Sequence, residues 1–466
     1  MNSMQRVRRL LPSLTAAVLT AAAATLVPDP AAAQQVGGPL VIRDVTVIPM
    51  DRQTTLPGHT VVVRDGVIER VAPDAEVRVP EGARVIDGAG RYLMPGLVDM
   101  HIHVVGGVGA QPDGAWQQMT LLAANGVTTA RSLAGAPTAP QVRDAIDAGT
   151  LVGPDLYLAG PSLNHQSVTT PDAVRAAVRQ QAEAGFDFIK THGVSSAVYD
   201  AMVQAAAEAG VPLAGHVTPD YGLFRALEAG QQIEHLDGYL AATIPQGAPV
   251  QAPPGQVYLG DELDHMDEAA MAGLARRTVE AGVWNSPTLA LFEVVADPQP
   301  PEHYLAWPDT RYVPARAREA WSGQMAQMAA APVAPGRRER YLELRRAMTR
   351  ALRDAGAGIM AGSDSPQFFL APGFALHREL RALQAAGLTP YEVLAAATVN
   401  PARYIGESAR FGVVAEGHEA DLLLLEADPL EDVANAARIA GVVLDGRWLP
   451  ASEIAEMKAA VAAAAE

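Results

Sequence analysis

The chain has 466 residues, a formal net charge of −17, 49% hydrophobic and 19% charged residues, and no cysteine. That length and apolar content suit a large packed domain with a smaller companion and exclude a largely disordered chain. The acidic balance argues against nucleic acid as a partner, because phosphate binding needs Lys and Arg to release counterions. Without thiols there are no disulfides, and any transition-metal site must be built from His and carboxylates.

Arg6, Arg8 and Arg9 precede an apolar run, Leu10 to Val27, and then the small residues Ala31-Ala32-Ala33. This layout predicts a signal peptide over residues 1–33, a periplasmic or secreted protein, and no membrane partner after cleavage. The run approaches the length of a membrane span, so an uncleaved anchor is the alternative. Arg8-Arg9 is a weak twin-arginine signal.

Short alternating runs follow: Leu40-Val41-Ile42, Val45 to Ile48, Val61-Val62-Val63 and Val67-Ile68. Asp65-Gly66 and Asp87-Gly88 punctuate them, which predicts β-strands. A second strand-rich stretch lies at Phe411 to Val413, Asp421 to Leu425 and Val442 to Leu444. Residues 34–93 and 406–450 are therefore expected to pair into one small β-sandwich domain. The Ala-rich segment 451–466 reads as a helical tail.

The middle, residues 94–405, alternates apolar runs with amphipathic Ala-rich segments, the pattern of βα units. Eight strands are expected: Leu97–His103, Val127–Leu133, Asp155–Gly160, Phe186–His192, Val211–Val217, Gln232–Asp237, Trp284–Leu291 and Gly358–Ser365. Helices are expected at Pro171–Ala184, Ser196–Ala209, Tyr221–Ala229 and His377–Ala386, some closed by Gly. The fold class read from this is α/β, a (β/α)8 TIM-type barrel beside the β-sandwich. Periodicity alone leaves a doubly wound open sheet as the alternative. Long connections after Gly238 and Leu291 read as lids or binding loops.

The chemistry-bearing residues fall at strand ends. His101 and His103 are two apart on one strand, so both side chains share a face. Lys190, His216, His235 and Asp364 close the fourth, fifth, sixth and eighth strands. A barrel gathers such ends at its C-terminal face, where its catalytic residues sit. One H-x-H pair carries little weight, but four His, one Lys and one Asp at successive ends are hard to obtain by chance. The competing reading is buried polar residues that satisfy one another. Arg131, His165, His192 and Tyr239 are the candidate substrate contacts, Arg131 for a substrate carboxylate; a solvated loop His or a packing aromatic is the plainer reading of such residues.

The run Met94-Pro95-Gly96-Leu97-Val98-Asp99-Met100-His101-Ile102-His103 resembles the opening motif of the amidohydrolase superfamily, and Gly362-Ser363-Asp364-Ser365 resembles its final-strand aspartate motif. Asn400-Pro401-Ala402 and Gly417 to Leu422 resemble the segment where that chain leaves the barrel for the β-domain. The resemblance runs from about Leu40 to Trp448 and leans to the imidazolonepropionase-like branch, with its metal-dependent dipeptidases and ochratoxin-type amidases. Ile189-Lys190 and Ile233-Glu234-His235 fit that branch.

The resemblance implies two divalent ions, zinc first, with manganese, cobalt or iron as alternatives. His101, His103 and Asp364 would hold one and His216 and His235 the other. A protonated Lys has no acceptor for a cation; in the resembled family this lysine is carboxylated, so Lys190 would bridge both ions. Two ions about 3.5–4 Å apart generate hydroxide and polarise a scissile carbonyl, while Asp364 would move the proton.

The implied activity is hydrolysis of an amide or peptide bond in a small-molecule substrate such as a dipeptide or N-acyl amino acid. Lactone, ester or cyclic-amide hydrolysis and deamination are the alternatives within the superfamily. The H-x-x-E pattern of its deaminases is missing after both His216 and His235. A non-catalytic binding protein would not need a full ligand set. A homo-oligomer is compatible with the sequence.

Overall fold

The computed structural model describes residues 38–106, 114–250, 253, 255 and 257–466. The expected signal peptide lies outside the described residues. No helix among the described residues is long and apolar enough to cross a membrane.

The two chain ends share one eight-stranded sheet. Its strands are β1 (Leu40–Val47), β2 (Leu56–Arg64), β3 (Val67–Pro73), β4 (Arg84–Asp87), β5 (Tyr92–Pro95), and then β13 (Leu422–Leu425), β14 (Ile439–Leu444) and β15 (Arg447–Pro450). The order is β15-β14-β13-β5-β1-β2-β3, with β4 paired to β1. The seam between the ends is antiparallel and sets Leu424 against Leu93 and Leu422 against Pro95. Ile42, Val47, Val61, Val63, Leu93, Leu422, Leu424 and Val443 bury one continuous apolar layer. Alternation along the strands puts them on the same side.

Between these ends the chain builds parallel strands: β6 (Leu97–Ile102), β7 (Val127–Ser132), β8 (Asp155–Leu158), β9 (Ile189–Thr191), β10 (Leu213–Gly215), β11 (Gln232–Glu234) and β12 (Asn285–Ser286). They form a three-stranded sheet, β6-β7-β8, and a four-stranded sheet, β12-β11-β10-β9. Single parallel bridges link Ala159 to Phe188, Asn285 to Ile359 and Ile102 to Ser365. Residues 358–365, expected as the eighth strand, pair through Met360 N to Asn285 O and Met100 N to Ala361 O. Every residue of β6 and β7 is buried, as in parallel strands covered on both faces.

The helix at Ser196–Ala209 has the expected bounds and ends at Gly210, whose φ of 69° is the left-handed cap that glycine accepts without strain. Pro171–Glu183 starts where Thr170 accepts a hydrogen bond from Ala173 N at 3.2 Å, with Pro171 at its first position. The expected strand Trp284–Leu291 is corrected. Only Asn285–Ser286 is strand, and Leu289–Ala296 is helix. A short apolar run reads alike as buried strand or buried helix. The long connections carry the helices Glu268–Glu280, Pro301–Leu305, Ala315–Ala330 and Arg337–Ala355. The tail is helical over Ala451–Ala464 and buries Ile454 and Val461.

Candidate active site

β6 ends in the His101 pair, β9 carries Lys190, His216 follows β10, His235 follows β11, and Asp364 closes the eighth segment. Their side chains converge. His103 Nε2 lies 2.9 Å and His101 Nε2 3.2 Å from Asp364 Oδ1, and His235 Nε2 lies 3.7 Å from Oδ2. The His101 and His235 ring centroids are 4.9 Å apart, and those of His216 and His235 4.7 Å. His101, His235 and Asp364 present ligand atoms within 4.8 Å of one another, a spacing that could hold a metal ion.

The imidazoles are held from behind. Glu234 Oε2 takes His101 Nδ1 at 2.7 Å, Thr288 Oγ1 lies 2.8 Å from His235 Nδ1, and Asp237 Oδ2 lies 2.9 Å from His216 Nδ1. Engaging Nδ1 fixes each ring's orientation, as outer partners do for metal-binding histidines. His101 Nε2 and Asp364 Oδ1 are buried and make no hydrogen bond. Orphaned acceptors of this kind are costly unless something binds them.

Burial holds His101 and His235 well below the ordinary imidazole range, so both are neutral at pH 7. Burial pushes Asp364 upward, but His101 and His103 outweigh it and hold the carboxyl at about 2. Burial likewise pulls the Lys190 amine down, against the opposing pull of Glu234 and Asp364. Metal ligands must be deprotonated, so lowered amine and imidazole pKa values both act in the direction that favours a cation. Backbone geometry is also set for convergence. His235 and Asp364 sit at φ 62° and 56°, left-handed values that side chains adopt at a cost of about 1–3 kcal/mol each. A Cβ at Gly215 would lie 3.0 Å from Lys190 Cδ and 2.3 Å from Thr191 O, so only glycine leaves room for the lysine's stem.

The amidohydrolase family model matches residues 92–449. The chain belongs to that family. The ochratoxinase of Aspergillus niger is 25% identical over 459 residues, covering 83% of this chain and 81% of that protein. The crystal structure of a Xaa-Pro dipeptidase with bound methionine superposes with a TM-score of 0.66 at 20% identity, covering 89% of this amidohydrolase and 100% of the dipeptidase. The adenine deaminase of Paracoccus denitrificans matches a short stretch only. It is 41% identical over 69 residues, covering 15% of this chain and 12% of the deaminase.

Within this amidohydrolase two of the expected substrate contacts lie in the interior. Arg131 is fully buried. It donates to Met100 O at 2.7 Å, Gln232 Oε1 at 3.0 Å and Glu234 Oε1 at 2.6 Å, so it anchors the carboxylate behind His101. Tyr239 is also buried, its hydroxyl 2.8 Å from Thr278 Oγ1. His165 and His192 are exposed. His165 Nε2 lies 3.4 Å from Asp220 Oδ2. The His192 ring stands 4.1 Å from that of His216.

Sequence reasoning did not single out Glu234, Asp237, Gln232 or Thr288 as supports of the site. Glu234 and Asp237 bracket His235 in the chain, and an acid beside a strand-end His was the available signal. Asp99 also escaped notice. It accepts from His101 N at 3.2 Å and Ser363 N at 2.9 Å, tying the end of β6 to residues 358–365.

Proposed function

We propose that the chain is a divalent-metal-dependent hydrolase that cleaves an amide or peptide bond in a small molecule, such as a dipeptide or an N-acyl amino acid. The supporting observation is the convergence of three imidazole Nε2 atoms on the Asp364 carboxylate, with His101 Nε2 and Asp364 Oδ1 buried and unbonded. In this reading residues 94–405 form a (β/α)8 barrel, closed through the three single bridges. The eight-stranded sheet is the small β-sandwich domain, and residues 1–33 direct export.

The donor set fits two ions. His101, His103 and Asp364 would hold one, His216 and His235 the other, with Lys190, once carboxylated, between them. Such ions, zinc in the first instance, lower the pKa of water and polarise a carbonyl oxygen. The protein's own part is to hold the ligands and move the proton. Asp364, kept ionised, accepts the proton of the attacking water on a carboxylate oxygen and returns it to the departing amine. Glu234, Thr288 and Asp237 hold the three imidazoles in orientation through Nδ1.

The names of the ochratoxinase and the Xaa-Pro dipeptidase agree with a small amide substrate. The test is a screen of zinc-, manganese- or cobalt-loaded protein on dipeptides, N-acyl amino acids, lactones and adenine. Amide turnover that disappears on chelation and returns with metal is the expected result. Turnover confined to lactones, or ammonia release from adenine, would replace the amide reading.

A further inference from the structure

We propose that Arg345 is a positioning residue for His235, acting through the main chain and through Thr288. The proposal rests on the metal-holding role given to His235 above. Arg345 lies on the helix Arg337–Ala355, beyond the long connection, and is 2% exposed. From Nη2 it donates to two main-chain carbonyls, His235 O at 2.8 Å and Pro287 O at 2.9 Å. The first belongs to the proposed ligand itself. The second precedes Thr288, whose Oγ1 holds His235 Nδ1.

One guanidinium thus ties together the ends of two neighbouring strands, β11 and β12, where both chains leave the ordinary backbone regions. His235, Leu236 and Thr288 have φ of 62°, 55° and 48°. A β-branched residue rarely adopts such a φ unless its surroundings impose it. The clamp is stiff on its other sides. The Arg345 guanidinium lies 3.5 Å from the Phe292 ring centroid, and Nη1 donates to Tyr341 Oη at 3.2 Å. The Phe292 ring is itself 5.9 Å from that of His235. Glu379, buried on the helix Phe374–Ala385, accepts from Ala290 N at 2.7 Å and so caps the helix that starts just after Thr288.

Energetics favour a geometric role over a stabilising one. Taking a guanidinium out of water is expensive, and apolar side chains of similar volume would often hold a core as well or better. What they cannot do is accept the direction of two carbonyls at a fixed spacing. Arg345 does that by donating from one planar Nη2 group to both carbonyls, while Nη1 is tied to Tyr341. Its targets are the ligand and the neighbour of the residue that orients the ligand.

The experiment uses the full chain loaded with zinc or cobalt and titrated with a chromophoric chelator, with circular dichroism and melting as fold controls. Outer partners of metal ligands are typically worth about 10–100-fold in metal affinity. Arg345→Met and Thr288→Val are each expected to weaken retention of one ion by about that factor and to shift the visible bands of the cobalt form. The double variant should be less than additive, because both act on one imidazole. Arg345→Lys, with its single-point charge, should recover only part of the affinity and serves where Arg345→Met does not fold. Folded variants that keep wild-type metal affinity and cobalt spectrum overturn the positioning role alone. A wild-type chain that retains no metal, or a His235→Ala variant that retains all of it, overturns the metal reading and this inference with it.

Discussion

Two charged clusters sit at opposite ends of the parallel strands, and they are built differently. At the start of β8, Arg410 donates to Asp155 at 2.7 Å, Glu419 at 2.6 Å and Tyr157 Oη at 2.7 Å, and it also meets Glu407. Charge there is matched by charge. At the far ends of the strands, His101 Nε2 and Asp364 Oδ1 are buried without a hydrogen bond, and the matched pairs stand one step back, as in Arg131 with Glu234. The first cluster completes itself, and the second presents lone pairs to something else. Burial and charge alone do not separate structure from function. The position of the unsatisfied atoms does.

The comparison predicts opposite consequences for substitution at the two ends. Asp364→Asn should lower turnover about 10²–10⁴-fold, the usual worth of a general acid–base group, with little loss of folding stability. Arg410→Met should do the reverse, costing about 3 kcal/mol in urea denaturation while kcat stays near wild type. Steady-state kinetics beside equilibrium unfolding checks both. If Arg410→Met is the inactive one, the assignment of roles is inverted.

Metal depletion sharpens the same contrast. A ligand at 1,000 times its Kd stabilises the folded state by about 4 kcal/mol. Dialysis against a chelator should therefore lower the Tm of the wild type and of Arg410→Met alike, and that of His101→Ala by less, because the variant keeps only the proposed His216–His235 site. Lys190→Ala should lose metal while remaining folded, and acetate or propionate should restore part of it. A Lys190→Ala chain with full metal content would leave the amine without a bridging role.

The convergence of the candidate ligands was legible in the sequence, because each falls at the end of an apolar run and the runs recur in order. Their supports were not. Arg131 and Glu234 lie on β7 and β11, which are not hydrogen-bonded neighbours, and no spacing in the chain announces that pair. An arginine at a strand end reads equally as a substrate contact, and nothing in the chain tells that its guanidinium meets Met100, Gln232 and Glu234. The left-handed residues His235, Leu236 and Thr288 break the alternation that would otherwise tell which side chains share a face. The strand seam of the small sheet was foreseen in outline, since both ends carry period-two runs. Its register was not, because pairing between distant segments is set by packing.

The smallest expected effect concerns Glu379, which belongs to neither cluster. Burial pushes its carboxyl up to about 8, against the pull of the Ala290 and Leu289 N–H groups. A raised folded-state pKa means that the native chain binds this proton more tightly than the unfolded chain. The stabilisation is complete below the ordinary carboxylate pKa and is lost as pH rises toward 8. Glu379→Gln keeps a neutral acceptor at every pH. The Tm difference between wild type and variant should therefore move in the variant's favour between pH 5 and pH 8. A constant difference would mean that the carboxyl titrates normally.

The pairing of β5 with β13 has a consequence for synthesis. A ribosome releases β1 to β5 first, and the open edge of β5, with Leu93 and Met94 fully buried in the finished protein, finds its partner only when Leu422–Leu425 emerges. Until then the nascent chain carries an unpaired apolar strand edge of the kind that recruits other chains. Closing the sheet also joins segments more than 300 residues apart, and so is slow. A chain stopped short of Leu422 should accordingly sediment as aggregate, and supplying the C-terminal segment as a separate polypeptide during refolding should keep it in solution.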